Sequence, residues 1–276
     1  MHTLKIERLI QGALVREGAG VKLQRYVGAD RTNSLEPILL FDYFNSTDLL
    51  DYMAGFPPHP HRGFETITYL LHGHITHEDN KGHKGVIGPG DVQWMTAGKG
   101  IIHSEMPVAS QGRFQGLQLW LNLPAAQKMR EPRYQEMISQ QLPIEQQEQG
   151  ACIKVIAGAT DKGTCSPIVD IATNPLFFDM HLPKESTVIQ HVPTDYQTLL
   201  FVVSGKVRVG DQYIEQNILA VLSTGEVVQV SAEENSQCFL IAAAKLNEPI
   251  VRHGPFVMNT QEEIRQAVTD FHSGCF

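Results

Sequence analysis

Two short runs of this chain carry metal-binding side chains at strand spacing. The run FPPHPHRGFE (56–65) contributes His59, His61 and Glu65, and GKGIIHSEMP (98–107) contributes His103 and Glu105. An i, i+2 interval puts both members of a pair on the same face of a β-strand. Two such strands facing one interior can therefore surround a single ion. Three imidazoles and a carboxylate form a borderline N/O set, suited to Fe(II), Mn, Co, Ni, Cu or Zn and poor for Ca or Mg. Four protein ligands would close a tetrahedral zinc site but leave open positions on a six-coordinate ion, so a site built for chemistry favours Fe(II). Glu65 shares the parity of His59 and His61. It is readable as a fifth ligand, as an acceptor for a ligand's N–H, or as the partner of Arg62 or Arg113 in an ion pair.

The chain holds 12 histidines, and an isolated one is ordinarily a surface or satisfied core residue. His72, His74, His77 and His83 are read that way. Trp94, Met95, Gln118 and Trp120 are candidates to line a pocket above the ion, plain core being the more economical reading of the aromatics. Glu226, Glu233 and Glu234 read as solvated turn charges. Gly98-Lys99-Gly100 is too short for a phosphate-binding loop, and no GxSxG nucleophile motif occurs.

The elements that must position these groups read as strands. ILLFDYF (38–44) is flanked by turn signals at Asn33, Ser34 and Pro37 and at Asn45–Thr47. Pro58 and Pro60 bracket His59 and lack N–H donors, which predicts a strand edge or an irregular lead-in. From Phe64 to Leu71 the only charge is Glu65, as expected of a strand buried on both faces. HGHITHEDNKGHKG (72–85) predicts a hairpin turning around Asp79–Gly82, and LQLWLNL (117–123) alternates. Residues 124–150, rich in Gln and Glu with three prolines, read as an inter-domain connection with one helical turn. Strand-like segments then resume until Thr260-Gln261-Glu262-Glu263, a capping box that opens an amphipathic helix over about 260–273. YLLHGHI (69–75) resembles FVVSGKV (201–207), an offset of 132. That offset sends His59 to His191, His61 to Pro193, His103 to Asn235 and Glu105 to Gln237, so the second half has no ligand set of its own. The expected architecture is all-β: an armed N-terminal domain over 1–132 and an empty one, with the closing helix, over 133–276.

Bulk properties narrow the function classes. At 276 residues, with 42% hydrophobic and 19% charged residues, the chain suits two folded domains. A formal net charge of −8 and the lack of any basic run argue against nucleic acid as a partner. No apolar run approaches a membrane span, and the N-terminus MHTLKIERLI is not a signal peptide. Four scattered cysteines without a CxxC pair suit a reducing compartment, which predicts the cytoplasm.

The segments HPHRGFETITYLL, GHKGVIGPGDVQWMTAGKGIIHSEMP, GLQLWLNLP and GPFVMNTQEEIRQA together resemble the pirin family of the cupin superfamily, over nearly the whole length. The resemblance implies a bicupin, two stacked jelly-roll β-barrels with one metal, usually iron, in the N-terminal barrel. It implies His59, His61, His103 and Glu105 as the ligands, with Glu65 not normally among them. His103 lies farther past the Pro89-Gly90-Asp91 turn than in ordinary cupins, which is pirin-like. Family members are similar to quercetin 2,3-dioxygenases, which implies a phenolic substrate such as a flavonol, O2 as co-substrate, and Glu105 as a ligand that doubles as base. The resemblance also implies a non-enzymatic alternative, a metal-dependent regulator that binds transcription factors or metabolic enzymes.

Overall fold

A computed structural model describes residues 2–28, 35–108 and 112–276; the turn signals at Asn33 and Ser34 lie outside them. The protein is all-β apart from short 3-10 turns and the helix Gln261–His272. Its contacts divide it into two compact units, residues 13–139 with 246–276, and residues 1–12 with 140–245. This grouping departs from the division expected at 132/133 at both chain ends.

The first unit holds a seven-stranded antiparallel sheet in the order Arg133–Met137, Val92–Thr96, Phe64–His72, Phe114–Asn122, Ile38–Ser46, Val21–Val27, Ala13–Glu17. A four-stranded sheet runs Phe56–His61, Ile101–Pro107, Ile75–Asp79, Lys84–Ile87. Phe64–His72 is buried from Phe64 through Leu70 and is hydrogen-bonded on both sides, as expected of its β-branched, aromatic and Leu-rich run. Phe56–His61 lies at a sheet edge, where Pro57 and Pro58 cost no ladder hydrogen bond. The hairpin forms between Ile75–Asp79 and Lys84–Ile87, its turn tied by the Asp79 carboxylate accepting from the Lys81 and His83 N–H groups at 2.8 and 2.9 Å.

The second unit repeats this plan. Its seven-stranded sheet runs Ile6–Gln11, Ile218–Leu222, Tyr196–Ser204, Ser236–Ala244, Leu176–Leu182, Cys152–Ala157, Ile144–Gln146, and its four-stranded sheet runs Thr187–His191, Val227–Ala232, Lys206–Val209, Gln212–Glu215. Strand for strand the two orders correspond, with Ile6–Gln11 taking the outer place that Arg133–Met137 takes in the first unit. The counterpart of Ile101–Pro107 is therefore Val227–Ala232. The fixed offset of 132 mispairs His103 with Asn235 and Glu105 with Gln237, because loop lengths differ between the repeats.

Residues 124–150 are more than a connection. They contribute an outer strand to each large sheet, Arg133–Met137 and Ile144–Gln146, and three 3-10 turns rather than one helical turn. The capping box is formed: Thr260 accepts from the Glu263 N–H at 3.2 Å, and Glu263 accepts from the Thr260 N–H at 2.8 Å. The helix belongs with the first unit rather than the second. Ile264, Ala267 and Phe276 pack with Phe256, Met258 and Ile102, a residue adjacent to His103. Among the described residues no helix is long and apolar enough to cross a membrane.

Candidate metal centre

The edge pairing of Phe56–His61 with Ile101–Pro107 sets His103 directly opposite His59 and Ile101 opposite His61. A β-bulge between the His103 and Glu105 pairings places the extra residue in the proline-rich strand, so Glu105 lies opposite Phe56. His59, His61 and His103 converge, each offering a nitrogen within 4.8 Å of the other two. His61 and His103 are buried, and His59 is half-buried.

Hydrogen bonding leaves the ring nitrogens free to ligate. His59 Nδ1 is 2.8 Å from the Pro57 carbonyl, and donating to it turns the Nε2 lone pair outward. His61 Nδ1 and both nitrogens of His103 are buried and find no hydrogen-bond partner among the described residues. Unpaired buried polar atoms each cost on the order of 1–3 kcal/mol, and three of them in one cluster fit a set of donors shaped to hold a cation.

Burial depresses the His61 imidazole well below its usual range, with the neighbouring His103 and His59 adding to the effect. Burial likewise brings His103 down to about 4, against the opposing pull of Glu105. Both rings are thus neutral at pH 7, the form a metal requires. The sign for stability follows. Between about pH 6.5 and about 4 the unfolded chain binds a proton at His103 that the fold refuses, so the metal-free protein loses stability as pH falls through that window. Chemical denaturation of metal-free protein at stepped pH should show a plateau above about 6.5 and a decline of up to about 3 kcal/mol toward pH 4; a His103→Ala variant should lose that part of the decline.

Glu105 is buried as well. Its carboxylate accepts from the Gln118 side chain at 2.9 and 3.1 Å and from the Thr68 hydroxyl at 3.1 Å, and it is not among the converging donors. Glu65 is fully buried, accepting from the Trp94 indole at 3.1 Å and the Thr96 hydroxyl at 2.7 Å. Burial raises its pKa, and the two donors oppose that rise. Of the three readings of Glu65, the ion pair is overturned: its oxygens serve its own sheet, with Arg62 paired instead to Asp270 at 2.7 Å. Arg113 likewise turns to the Asn45 side chain at 2.7 Å.

A cavity of ≈ 550 Å³ opens over the histidines, lined by Phe56, His59, His61, Gln118, Trp120 and Arg252 among others. Gln118 and Trp120 thus reach the pocket. Trp94 does not: it is 1% exposed with its N–H committed to Glu65, and Met95 packs with Ala97 and Ile101. Trp120 lies edge-on to His61 at 5.2 Å between ring centroids, and the Arg252 guanidinium stands 4.7 Å over the Trp120 ring. The pattern also missed Arg252, a residue of the C-terminal segment that no local motif ties to this site. The volume suits a drug-sized ligand.

Comparison with known proteins places this architecture. The Pirin family model matches residues 20–121, and the model of the Pirin C-terminal cupin domain matches residues 177–276. A pirin-like protein of Caulobacter vibrioides is 45% identical over 276 residues, covering 100% of both chains. The chain belongs to the pirin family. Pirin of Homo sapiens is 43% identical over 264 residues, 93% of this chain and 88% of that one. A crystal structure of quercetin 2,3-dioxygenase from Acinetobacter baumannii superposes with a TM-score of 0.89 at 35% identity, covering 99% of this chain and 98% of that one. The two sheet pairs of this pirin-family chain are accordingly cupin domains.

Proposed function

We propose that this pirin-family protein is a metal-dependent dioxygenase that cleaves a flavonol such as quercetin with O2. Its metal, Fe(II), would be held by His59, His61 and His103, with Glu105 as a further ligand and as the base. The observation that carries this reading is the convergence of His59, His61 and His103, the last two buried, at a ≈ 550 Å³ cavity walled partly by Phe56 and Trp120. When bound, such an ion supplies Lewis acidity that lowers the pKa of a phenolic hydroxyl set against it.

The chain's own groups do the rest. Phe56 and Trp120 offer apolar surface to a flat aromatic ligand and displace water from it. Gln118 lines the cavity and donates to both oxygens of Glu105, which orients that carboxylate. Glu105 accepts the hydroxyl proton of the substrate. The Glu105 carboxylate has lone pairs left for ligation beside its bonds to Gln118 and Thr68, and proton acceptance does not require the metal bond at all.

Two measurements test the reading. Iron-loaded protein given flavonols and O2 should consume oxygen and release carbon monoxide. Turnover of no flavonol or catechol would leave the regulatory, partner-binding reading in its place. Glu105→Gln should keep its metal through the three histidines and lose on the order of 10²–10⁴ in kcat; full turnover by that variant would remove Glu105 from the role of base.

A further inference from the structure

The hairpin that follows the first ligand run builds a second convergence of donors. His77 on Ile75–Asp79, His83 in the turn and Glu136 on the outer strand Arg133–Met137 bring one ligand atom each within 4.8 Å of one another. His77 Nε2 lies 2.6 Å and His83 Nε2 3.4 Å from Glu136 Oε1. Despite these distances, both nitrogens are buried atoms without a properly directed hydrogen bond among the described residues. Buried polar atoms left without an aligned hydrogen bond call for an explanation, and a cation shared between them is one.

The surroundings are shaped to this cluster. Gly85 is the cross-strand partner of His77, and a Cβ there would fall 2.5 Å from His77 Nε2 and 3.3 Å from a Glu136 oxygen. Only glycine leaves the imidazole its place. The Tyr134 ring covers His83 at 4.3 Å between centroids with a 30° tilt, which fixes that ring's direction. Gln93 donates to Glu136 Oε1 at 2.7 Å and orients the carboxylate from behind, as second partners of metal ligands do. His77 is 1% exposed on its side chain, whereas His83 and Glu136 are 38% and 30% exposed, so an ion and a water can enter from solvent.

From this arrangement we infer that His77, His83 and Glu136 form a second, separate site for a divalent transition cation of the Zn2+ kind. Two imidazoles and one carboxylate with an open fourth position are a zinc donor set. Two ligands at about 2.1 Å from a tetrahedral ion are roughly 3.4 Å apart, the spacing His83 and Glu136 already have. His77 and Glu136, at 2.6 Å, are closer than that and part by a fraction of an ångström to admit the ion.

The inference does not depend on the three-histidine cluster, and the test separates the two. Metal-free full-length protein titrated with Zn2+ should bind two equivalents. His61→Ala with His103→Ala should retain one of them, and His83→Ala should retain the other. Gly85→Ala keeps every ligand but crowds His77, and should weaken the second equivalent at least tenfold with the circular dichroism spectrum unchanged. Co2+ bound to the His61→Ala, His103→Ala protein should give tetrahedral absorption bands that His83→Ala abolishes. One equivalent in the wild type, or a second equivalent indifferent to both His83→Ala and Gly85→Ala, overturns the site.

Discussion

Replacing His103 by alanine is expected to weaken metal binding at least hundredfold and to abolish the proposed flavonol turnover, while the metal-free protein keeps its stability within about 1 kcal/mol of wild type. The two halves of this result have one cause. His103 is 1% exposed, and neither ring nitrogen has a partner among the described residues, so the side chain stabilises the fold only through packing. Losing the ring forfeits those contacts but also removes two stranded polar atoms, and the effects oppose each other. A histidine kept for structure behaves in the opposite way, since its loss strands the partners it bonded. Metal analysis after purification without chelators, with melting curves of both forms, reads out both halves. Wild-type metal content in the variant would dissolve the centre. A collapse of the metal-free protein would make His103 a structural residue instead.

Much of this centre is visible in the bare sequence because strand parity is local. The i, i+2 spacing of His59 with His61 reports a shared face whatever the rest of the chain does, and the prolines around them mark the sheet edge where they lie. Parity says which face a side chain takes, not which atoms it meets there. Glu65 and Glu105 satisfy the same rule, yet Trp94 and Thr96 occupy the first and Gln118 and Thr68 the second, from strands distant in sequence. The sequence does not point to Glu136 because Arg133–Met137 is half-buried throughout and mostly polar, and its strand character comes from pairing with Val92–Thr96 rather than from its own pattern. The exchange of chain ends between the units is non-local for the same reason: nothing in Ile6–Gln11 announces Ile218–Leu222 as its partner.

The buried Lys128 makes that non-locality measurable, since three distant carbonyl oxygens meet at one ammonium. Its Nζ donates to the Gly63 carbonyl at 2.7 Å, the Asn122 side chain at 2.6 Å and the Val257 carbonyl at 3.0 Å, with the side chain 1% exposed. These acceptors belong to the turn after the His61 strand, the end of Phe114–Asn122 and the strand Phe256–Met258 of the C-terminal segment. Burial draws the Lys128 pKa down to about 8, against the pull of Glu248 and Glu263, so the ammonium and all three of its donors persist at neutral pH. Lys128→Met preserves the apolar stem and strands all three acceptors, at a cost of about 3 kcal/mol or more. The turn it anchors has no slack to offer in compensation: Gly63 holds φ +89°, and even a Cβ there would meet the Val257 carbonyl at 2.0 Å. The melting temperature should fall by roughly 6 °C or more. Because the released turn follows His61 directly, metal affinity should fall with it although no ligand has changed. Unaltered melting with unaltered metal retention would show that the C-terminal segment is held to the ligand strand by its apolar contacts alone.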